Sequence, residues 1–395
     1  MADQSEQLAP VRLGVIGLGR GFMLTLPALI EDQRFTLVAA VTTNDAKKKA
    51  FETQFDAPVY ADFAQLCADP SVDAIYIATP HATHFDLVMT ALQANKHVLV
   101  EKPLTINAAQ AEAIYQQTKI CAQKVIVGPS HSFDTPITET ARLIASGKFG
   151  PVGMINASYY TDFVFRPRRK AELSAEQGGG AIFNQGVHHI DILTTLANSV
   201  PTGVYGRVGD FDERRACDGA YSAMIEFANG CFGAITYSGY GHYDGDAEVG
   251  WVSELGRPKN PNNYGNARRN LLQIDEDDAK EKRGYAQSMD VDAPPAFHEH
   301  FGSILVSCQK ADLKPTPKGI QVYADDREDF LPLPLAGEHP RRPVLDELYA
   351  LVKQDIAPTH SALRGWRNVA VCEAIYSSSR TNARVAIDIP EEAAG

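Results

Sequence analysis

The chain contains no run of about 18 apolar residues, so its sequence offers no membrane-spanning helix. Its six cysteines, Cys67, Cys121, Cys217, Cys231, Cys308 and Cys372, form no C-x-x-C pair and no regular spacing. That excludes a disulfide scaffold and points to reduced thiols in a cytoplasmic protein. Positive charge is in short supply: 37 Lys and Arg stand against 49 Asp and Glu, for a net charge of −12. Such a balance argues against general nucleic-acid or membrane binding, whereas a small anionic substrate needs only a local cluster of cations. There is no repeat of about 20–50 residues. Met1 to Pro10 is polar and acidic, without a basic-then-apolar leader pattern. What is present is globular: 44% hydrophobic and 22% charged residues in 395, a length that suggests two domains.

Short apolar runs at Val11–Ile16, Leu37–Val41, Ala74–Ala78, Val98–Val100 and Val125–Val127 alternate with helical patterns at Phe22–Glu31, Asp45–Phe55, His84–Ala94 and Ala108–Gln117. Strands that are apolar throughout, separated by helices, belong to a parallel sheet covered on both faces. The expected fold class is therefore α/β, with a doubly wound Rossmann domain over residues 1–128 and Pro27 as a weak point in its first helix. Past residue 128 the pattern changes. A helix at Thr135–Ser146 precedes longer strands at Val152–Phe163, Gly203–Val208, Tyr221–Phe227, Cys231–Ser238 and Val249–Glu254, with the hairpin signal Asn229-Gly230 between two of them. Gly256–Gly265 reads as a mobile loop and Asp275–Arg283 as a solvated charge run. Helices at Val344–Gln354 and Leu363–Thr381 close the chain. Residues 129–395 thus read as an α+β domain on a large, mostly antiparallel sheet, for substrate binding and oligomerisation.

Gly17-Leu18-Gly19-Arg20-Gly21-Phe22 follows the first strand and opens the first helix. A dinucleotide pyrophosphate needs that placement. Gly17 permits the tight turn, Gly19 lets backbone N–H groups approach phosphate, and the helix N-terminus adds partial positive charge. Phe22 stands where a third Gly or Ala is usual, which predicts looser helix–strand contact. The end of the second strand bears on the choice of nicotinamide cofactor. Thr42, Thr43 and Asn44 occupy the place where NAD sites usually put an acid on the ribose 2′-hydroxyl, and Lys47 and Lys48 follow. This pattern slightly favours NADP over NAD. Thr79, Pro80 and His84 after the third run, and Glu101 and Lys102 after the fourth, border the same crevice, because ligands of such sheets bind outside the carboxyl ends of the strands.

Lys102 lies within Glu101-Lys102-Pro103 and points at that crevice. A second group comes from Gly178-Gly179-Gly180 and the segment after it. Helical spacing from Asn184 puts Asn184, His188 and Asp191 on one face, where His188 can serve as a general base and Asp191 can orient or cap. His189 faces elsewhere and reads as structural. Adjacent histidines on a helix diverge, and a metal reading of His298-Glu299-His300 is weak, so no metal is expected. Four of the five residues Arg166 to Lys170 are cationic, downstream of Tyr160. Arg166, Arg168 or Arg169 suit a substrate carboxylate. His131 and Phe133, just past the fifth run, are candidates for the pocket lining.

The GLGRG turn, Glu101-Lys102-Pro103 and the G-G-G…H-x-x-D segment together resemble the Gfo/Idh/MocA oxidoreductase family over the whole chain. The resemblance implies Lys102 and His188 as a catalytic pair. Asn184 stands where many members carry Asp. The stretches HSFD, YTDFVFRPRR and FNQGVHHID look most like phthalate 4,5-cis-dihydrodiol dehydrogenases, which implies oxidation of a cyclic carboxylate diol with NAD and assembly as a homodimer or homotetramer. Alternatives are a sugar or cyclitol dehydrogenase on the same scaffold, acting on a polyol, and a cofactor-sensing protein without turnover.

Overall fold

A computed structural model describes residues 9–287, 294–335, 337 and 339–390. The first sheet is built from β1 (Val11–Ile16), β2 (Phe35–Val41), β3 (Val59–Tyr60), β4 (Ala74–Ile77), β5 (His97–Val100) and β6 (Val125–Val127). Its helices are α1 (Arg20–Glu31), α2 (Asp45–Phe55), α3 (Phe63–Ala68), α4 (His84–Gln93) and α5 (Ala108–Ile120). Every pairing is parallel, in the order β3-β2-β1-β4-β5-β6. All four residues of β4 have no solvent exposure. Burial on both faces is why these strands are apolar throughout rather than alternating. The strand order reverses between β1 and β4, which opens the ligand crevice at their carboxyl ends.

The second sheet has nine strands in the order β14-β13-β12-β11-β7-β10-β9-β8-β15. These are β7 (Val152–Tyr160), β8 (Pro201–Gly209), β9 (Ala220–Phe227), β10 (Phe232–Ser238), β11 (Ser303–Cys308), β12 (Ala311–Thr316), β13 (Gly319–Ala324), β14 (Glu328–Pro332) and β15 (Val385–Ala386). Only the β7–β10 pair is parallel among them. Helices α6 (Thr135–Ala145), α7 (Lys170–Leu173), α8 (Val187–Ala197), α9 (Asn266–Leu271) and α10 (Glu276–Glu281) precede β11, and α11 (Arg342–Gln354) and α12 (Ala362–Thr381) follow β14. The buried residues of β7, Ile155, Ala157 and Tyr159, alternate with solvent-facing ones, and α8 packs against this strand.

Three sequence expectations need correction. Val249–Glu254 is not a strand: Gly245–Val249 forms a 3-10 turn, and Val252 makes one isolated bridge to Pro258. The cause is Asp246, buried where the Tyr159 hydroxyl and Lys259 reach it, followed by Gly250 in the left-handed region at φ +79°. The strand expected to run to Phe163 stops at Tyr160, because Phe163–Phe165 turns the chain back. Strands β11–β14 were not expected; β11 holds only the three-residue apolar run Ile304-Leu305-Val306, β12 and β13 mix buried with half-buried positions, and the edge strand β14 is largely exposed. The chain end also crosses back. Val344, Leu345, Leu348 and Leu351 of α11 share a core with Val11, Leu13 and Phe35, although the sequence groups this helix with the second domain.

Candidate active site

The turn between β1 and α1 is shaped to receive a group that the helix itself does not supply. Gly17 has φ +96°, and a Cβ there would lie 2.4 Å from the Ala78 carbonyl, so glycine is required. At Gly19, which opens α1, a Cβ would meet nothing within 4 Å, and no side chain caps the helix. Free N–H groups facing open space at a helix start fit a pyrophosphate. A Cβ on Gly21 would come 3.0 Å from Glu101 Oε1, so the turn rests on the end of β5. Phe22 does not loosen the contact as expected: it has no solvent exposure and lies edge-on to Tyr285 with ring centres 5.7 Å apart. Asn44 caps α2 by accepting the Lys47 N–H at 3.0 Å, and its own N–H donates to Thr42 Oγ1. Thr43 is exposed beside them. Thr79 receives the Thr83 hydroxyl after β4, next to Pro80. His84 sits beneath the crevice, its ring nitrogens 2.8 Å from the Pro103 carbonyl and 3.0 Å from the Thr79 carbonyl. Burial lowers its pKa, and the neutral ring donates to one of the two at a time.

Beyond β5, Glu101 accepts the Tyr76 hydroxyl at 2.7 Å. Burial pushes its carboxyl up, against the pull of Arg341. Lys102 Nζ donates to the Asn184 carbonyl at 2.7 Å. Burial lowers the Lys102 pKa to about 8, although Glu101 and Glu254 oppose the shift. His188 Nδ1 lies 3.3 Å from Ser130 Oγ and 3.4 Å from the His131 backbone nitrogen. Burial, then the Lys102 ammonium and then His131, hold its pKa well below the ordinary value. A neutral imidazole and an ammonium therefore share one site, supplied by two domains.

The face expected for Asn184, His188 and Asp191 is not continuous. Ile182–Gly186 forms a π turn before α8 starts, and this shifts the helical phase. The Asn184 amide turns back to the Gly180 carbonyl, so its backbone oxygen rather than its side chain meets Lys102. The Asp191 carboxylate takes the Ser132 hydroxyl, Arg364 Nε and Asn368 Nδ2. Burial would raise its pKa, but Arg364 and His360 win and hold it far below the carboxylate range. His189 is fully buried against the Tyr221 hydroxyl. Phe133 stacks on His360 with ring centres 3.6 Å apart, in the core rather than the crevice. Tyr160 lies exposed on the far face of β7 near Tyr243; the inward rings are Tyr159 and Tyr237.

The basic run is largely neutralised. Arg166 pairs with Asp162 at 2.8 Å and approaches Glu254 at 3.7 Å. Arg168 lies over the Phe163 ring and reaches Glu172, and burial lowers it to about 10. Arg169 is 3.7 Å from Glu281. Two cavities adjoin. One of about 810 Å³ is lined by Arg166, Trp251, Lys259, Tyr264 and Arg268, so the turn-rich Gly256–Gly265 segment serves as its wall. One of about 220 Å³ is lined by Arg20, Arg257, Lys282, Arg283, Arg341 and Glu299.

Residues 11–128 match the family described as "Oxidoreductase family, NAD-binding Rossmann fold", and residues 137–250 match "GFO/IDH/MocA C-terminal domain". The chain belongs to the Gfo/Idh/MocA oxidoreductase family. It is an NAD(P)-dependent oxidoreductase. It is 36% identical to the 1-carboxy-3-chloro-3,4-dihydroxycyclohexa-1,5-diene dehydrogenase of Comamonas testosteroni, over 94% of this chain and 95% of that one. It is also 36% identical to the D-xylose 1-dehydrogenase (NADP(+)) of Hypocrea jecorina, over 33% of this chain and 35% of that one. A crystal structure from Bordetella bronchiseptica RB50 aligns with TM-score 0.89 and 33% identity, covering 96% of this chain and all of that one.

Around its Lys102–His188 centre this Gfo/Idh/MocA member carries an acid network that sequence reasoning missed. Glu254, Glu299 and Asp134 surround His131: Nδ1 is 2.8 Å from Asp134 and Nε2 is 3.5 Å from Glu254. Among the described residues, His131, Asp134 and Glu299 could also hold a metal ion, but the 2.8 Å contact is already a hydrogen bond and Arg341 faces Glu299. His298 and His300 turn away to the Leu333 and Val252 carbonyls. No motif marks Glu254 or Arg341; they join the site only by tertiary contact. Burial lowers the pKa of His131, but Asp134 and Glu254 prevail and raise it to about 10. A folded pKa above the unfolded value of about 6.5 stabilises the fold at low pH, and that stability is lost as pH rises through about 10. The thermal midpoint should therefore decline between about pH 7 and 10, and His131→Gln should flatten the decline. An equal slope in calorimetry of both proteins would refute this.

Proposed function

We propose that this oxidoreductase oxidises a cyclic vicinal diol bearing a carboxylate, with Lys102 and His188 as the catalytic pair. The observation that carries the reading is that Lys102 Nζ is anchored to the Asn184 carbonyl, one turn before His188, close enough for the ammonium to lower the His188 pKa. Bound at the Gly17–Gly21 turn, a nicotinamide dinucleotide would supply the hydride acceptor for the carbinol carbon. Lys102 donates a hydrogen bond to the reacting oxygen and stabilises its developing negative charge. His188 takes the hydroxyl proton at Nε2 in the tautomer protonated at Nδ1, which donates to Ser130 Oγ at 3.3 Å in place of accepting the long 3.4 Å contact from the His131 N–H; the lowered pKa keeps the ring neutral at neutral pH. Asn184 acts as a positioning residue through its carbonyl. With Arg166 already paired, Arg20, Arg283 and Arg341 along the smaller cavity supply positive charge for the carboxylate. For a cyclohexadiene diol, loss of two hydrogens yields an aromatic ring, which makes oxidation the favoured direction.

The substrate class is supported by the Comamonas relative, whose named substrate carries both a carboxylate and a diol on one ring. The Hypocrea relative, a sugar dehydrogenase, favours the alternative of a neutral polyol. The outward face of the second sheet exposes Met154, Tyr205, Met224, Phe232, Leu305 and Tyr323, which suits pairing into a homodimer or homotetramer. The test is a set of initial rates on cyclic diols with and without a ring carboxylate, using either cofactor. Carboxylated diols should lead by at least about tenfold in kcat/KM, as expected for one charge-assisted contact. A preference for neutral polyols or sugars would end the carboxylate reading.

A further inference from the structure

The charge run expected to be a solvated surface does expose Asp275, Asp277, Asp278 and Lys282, but its other charges and the residues after it form an arm laid across the nucleotide-binding domain. It starts on the second domain, where Glu276 takes Arg215 at 2.6 Å and the Arg168 N–H at 2.8 Å, and Lys280 pairs with Glu172 at 2.7 Å. It ends on the first domain, where Tyr285 is 2% exposed among Phe22, Phe51 and Phe55. The Tyr285 N–H donates to the Leu18 carbonyl at 3.2 Å, and its hydroxyl donates to Gln54 at 2.7 Å. Between these anchors, a Cβ on Gly284 would lie 3.3 Å from Lys47 Nζ and 3.4 Å from the Leu18 oxygen. The arm thus spans the gap between the phosphate turn and the start of α2, the place where a Rossmann domain holds the adenosine ribose. Glu281 on this arm pairs with Lys47 at 2.7 Å and approaches Arg169 at 3.7 Å.

We propose that Glu281 determines the cofactor, favouring NAD over NADP, by engaging Lys47 and setting a carboxylate beside the ribose 2′ position. The proposal rests on the reading that a dinucleotide binds at the Gly17–Gly21 turn. Thr42, Thr43 and Asn44 leave the end of β2 without an acid, and Lys47 is the cation that a 2′-phosphate would otherwise meet. A 2′-phosphate brings about −1.5 to −2 charges. It must either break the Lys47–Glu281 pair or sit against the carboxylate. A 2′-hydroxyl does neither and can donate to Glu281, the role that an acid at the end of β2 plays in other Rossmann domains. The carboxylate here arrives from the second domain.

The test is calorimetric titration of the full-length protein with NAD and with NADP, without substrate. Wild type should bind NAD at least about tenfold more tightly than NADP, and Glu281→Gln should tighten NADP binding about tenfold while moving NAD by no more than about threefold. Adding Lys47→Ala to Glu281→Gln should remove that gain. Glu281 is 45% exposed, so neutralising it spares the core. Tighter NADP binding by wild type, or equal effects of Glu281→Gln on both cofactors, would overturn the proposal. Failure of wild type to bind either dinucleotide would instead remove the underlying cofactor reading, and this proposal with it.

Discussion

Lys102→Met should lower kcat by about a thousandfold, the upper range for removing one donor to a developing oxyanion. Affinity for the cofactor should stay within about threefold, because the turn that receives phosphate is made of backbone groups at Gly17, Gly19 and Gly21. The methionine keeps the unbranched shape of the side chain up to Cε and loses its charge. It also loses the hydrogen bond to the Asn184 carbonyl, so the calorimetric melt should be compared to separate misfolding from lost chemistry. The same group predicts a pH limb. Burial lowers the Lys102 pKa to about 8, and the mechanism needs the protonated amine. kcat should therefore hold at neutral pH and fall as pH rises through about 8. Lys102→Arg, with a higher pKa, should carry that limb upward even if its overall rate is lower. Unchanged turnover in Lys102→Met would take the amine out of the mechanism; a collapse of cofactor binding with an intact melt would make it a binding group instead.

Asp191→Ala should destabilise the protein by about 3–5 kcal/mol, the usual cost of removing one partner from a buried ion pair. Asp191 is 2% exposed and faces Arg364, with Asn368 and Ser132 donating to the same carboxylate. Removing it leaves the Arg364 guanidinium, 13% exposed, without its counter-charge. The milder Asp191→Asn should lower the melting temperature yet keep most of kcat at a temperature where the protein is folded. That split identifies a structural anchor, and a replacement of both partners by apolar residues should recover part of the lost stability. If folded Asp191→Asn instead loses as much rate as Lys102→Met, Asp191 belongs to the catalytic machinery.

Those two residues illustrate how far the sequence could be read. Lys102 and Asp191 both fell in recognisable motifs, but only contacts distinguish them. Lys102 follows a strand whose end faces the crevice, and strand ends are visible as local apolar runs. Asp191 looked like a partner of His188 because the two lie three residues apart on α8, but Arg364, Asn368 and Ser132 claim its carboxylate from elsewhere in the fold. The π turn at Ile182–Gly186 shifted only Asn184 out of phase with them, and nothing in the residue pattern announces such a turn. Tyr160 was misplaced for a related reason. One residue along a strand reverses the face, and Tyr159 rather than Tyr160 points inward.

By itself the sequence determined the parallel sheet, the glycine turn over α1, the lysine beyond β5 and the glycine-led segment carrying His188. Each is encoded in a window of about ten residues, where periodicity and backbone sterics act alone. Tertiary structure decided which charges remain available for chemistry. Glu281 meets Lys47, Glu254 meets His131 and Arg166, and Arg364 meets Asp191. Coulomb energy depends on separation in space and on the water excluded around each pair, and neither is written in the order of residues along the chain.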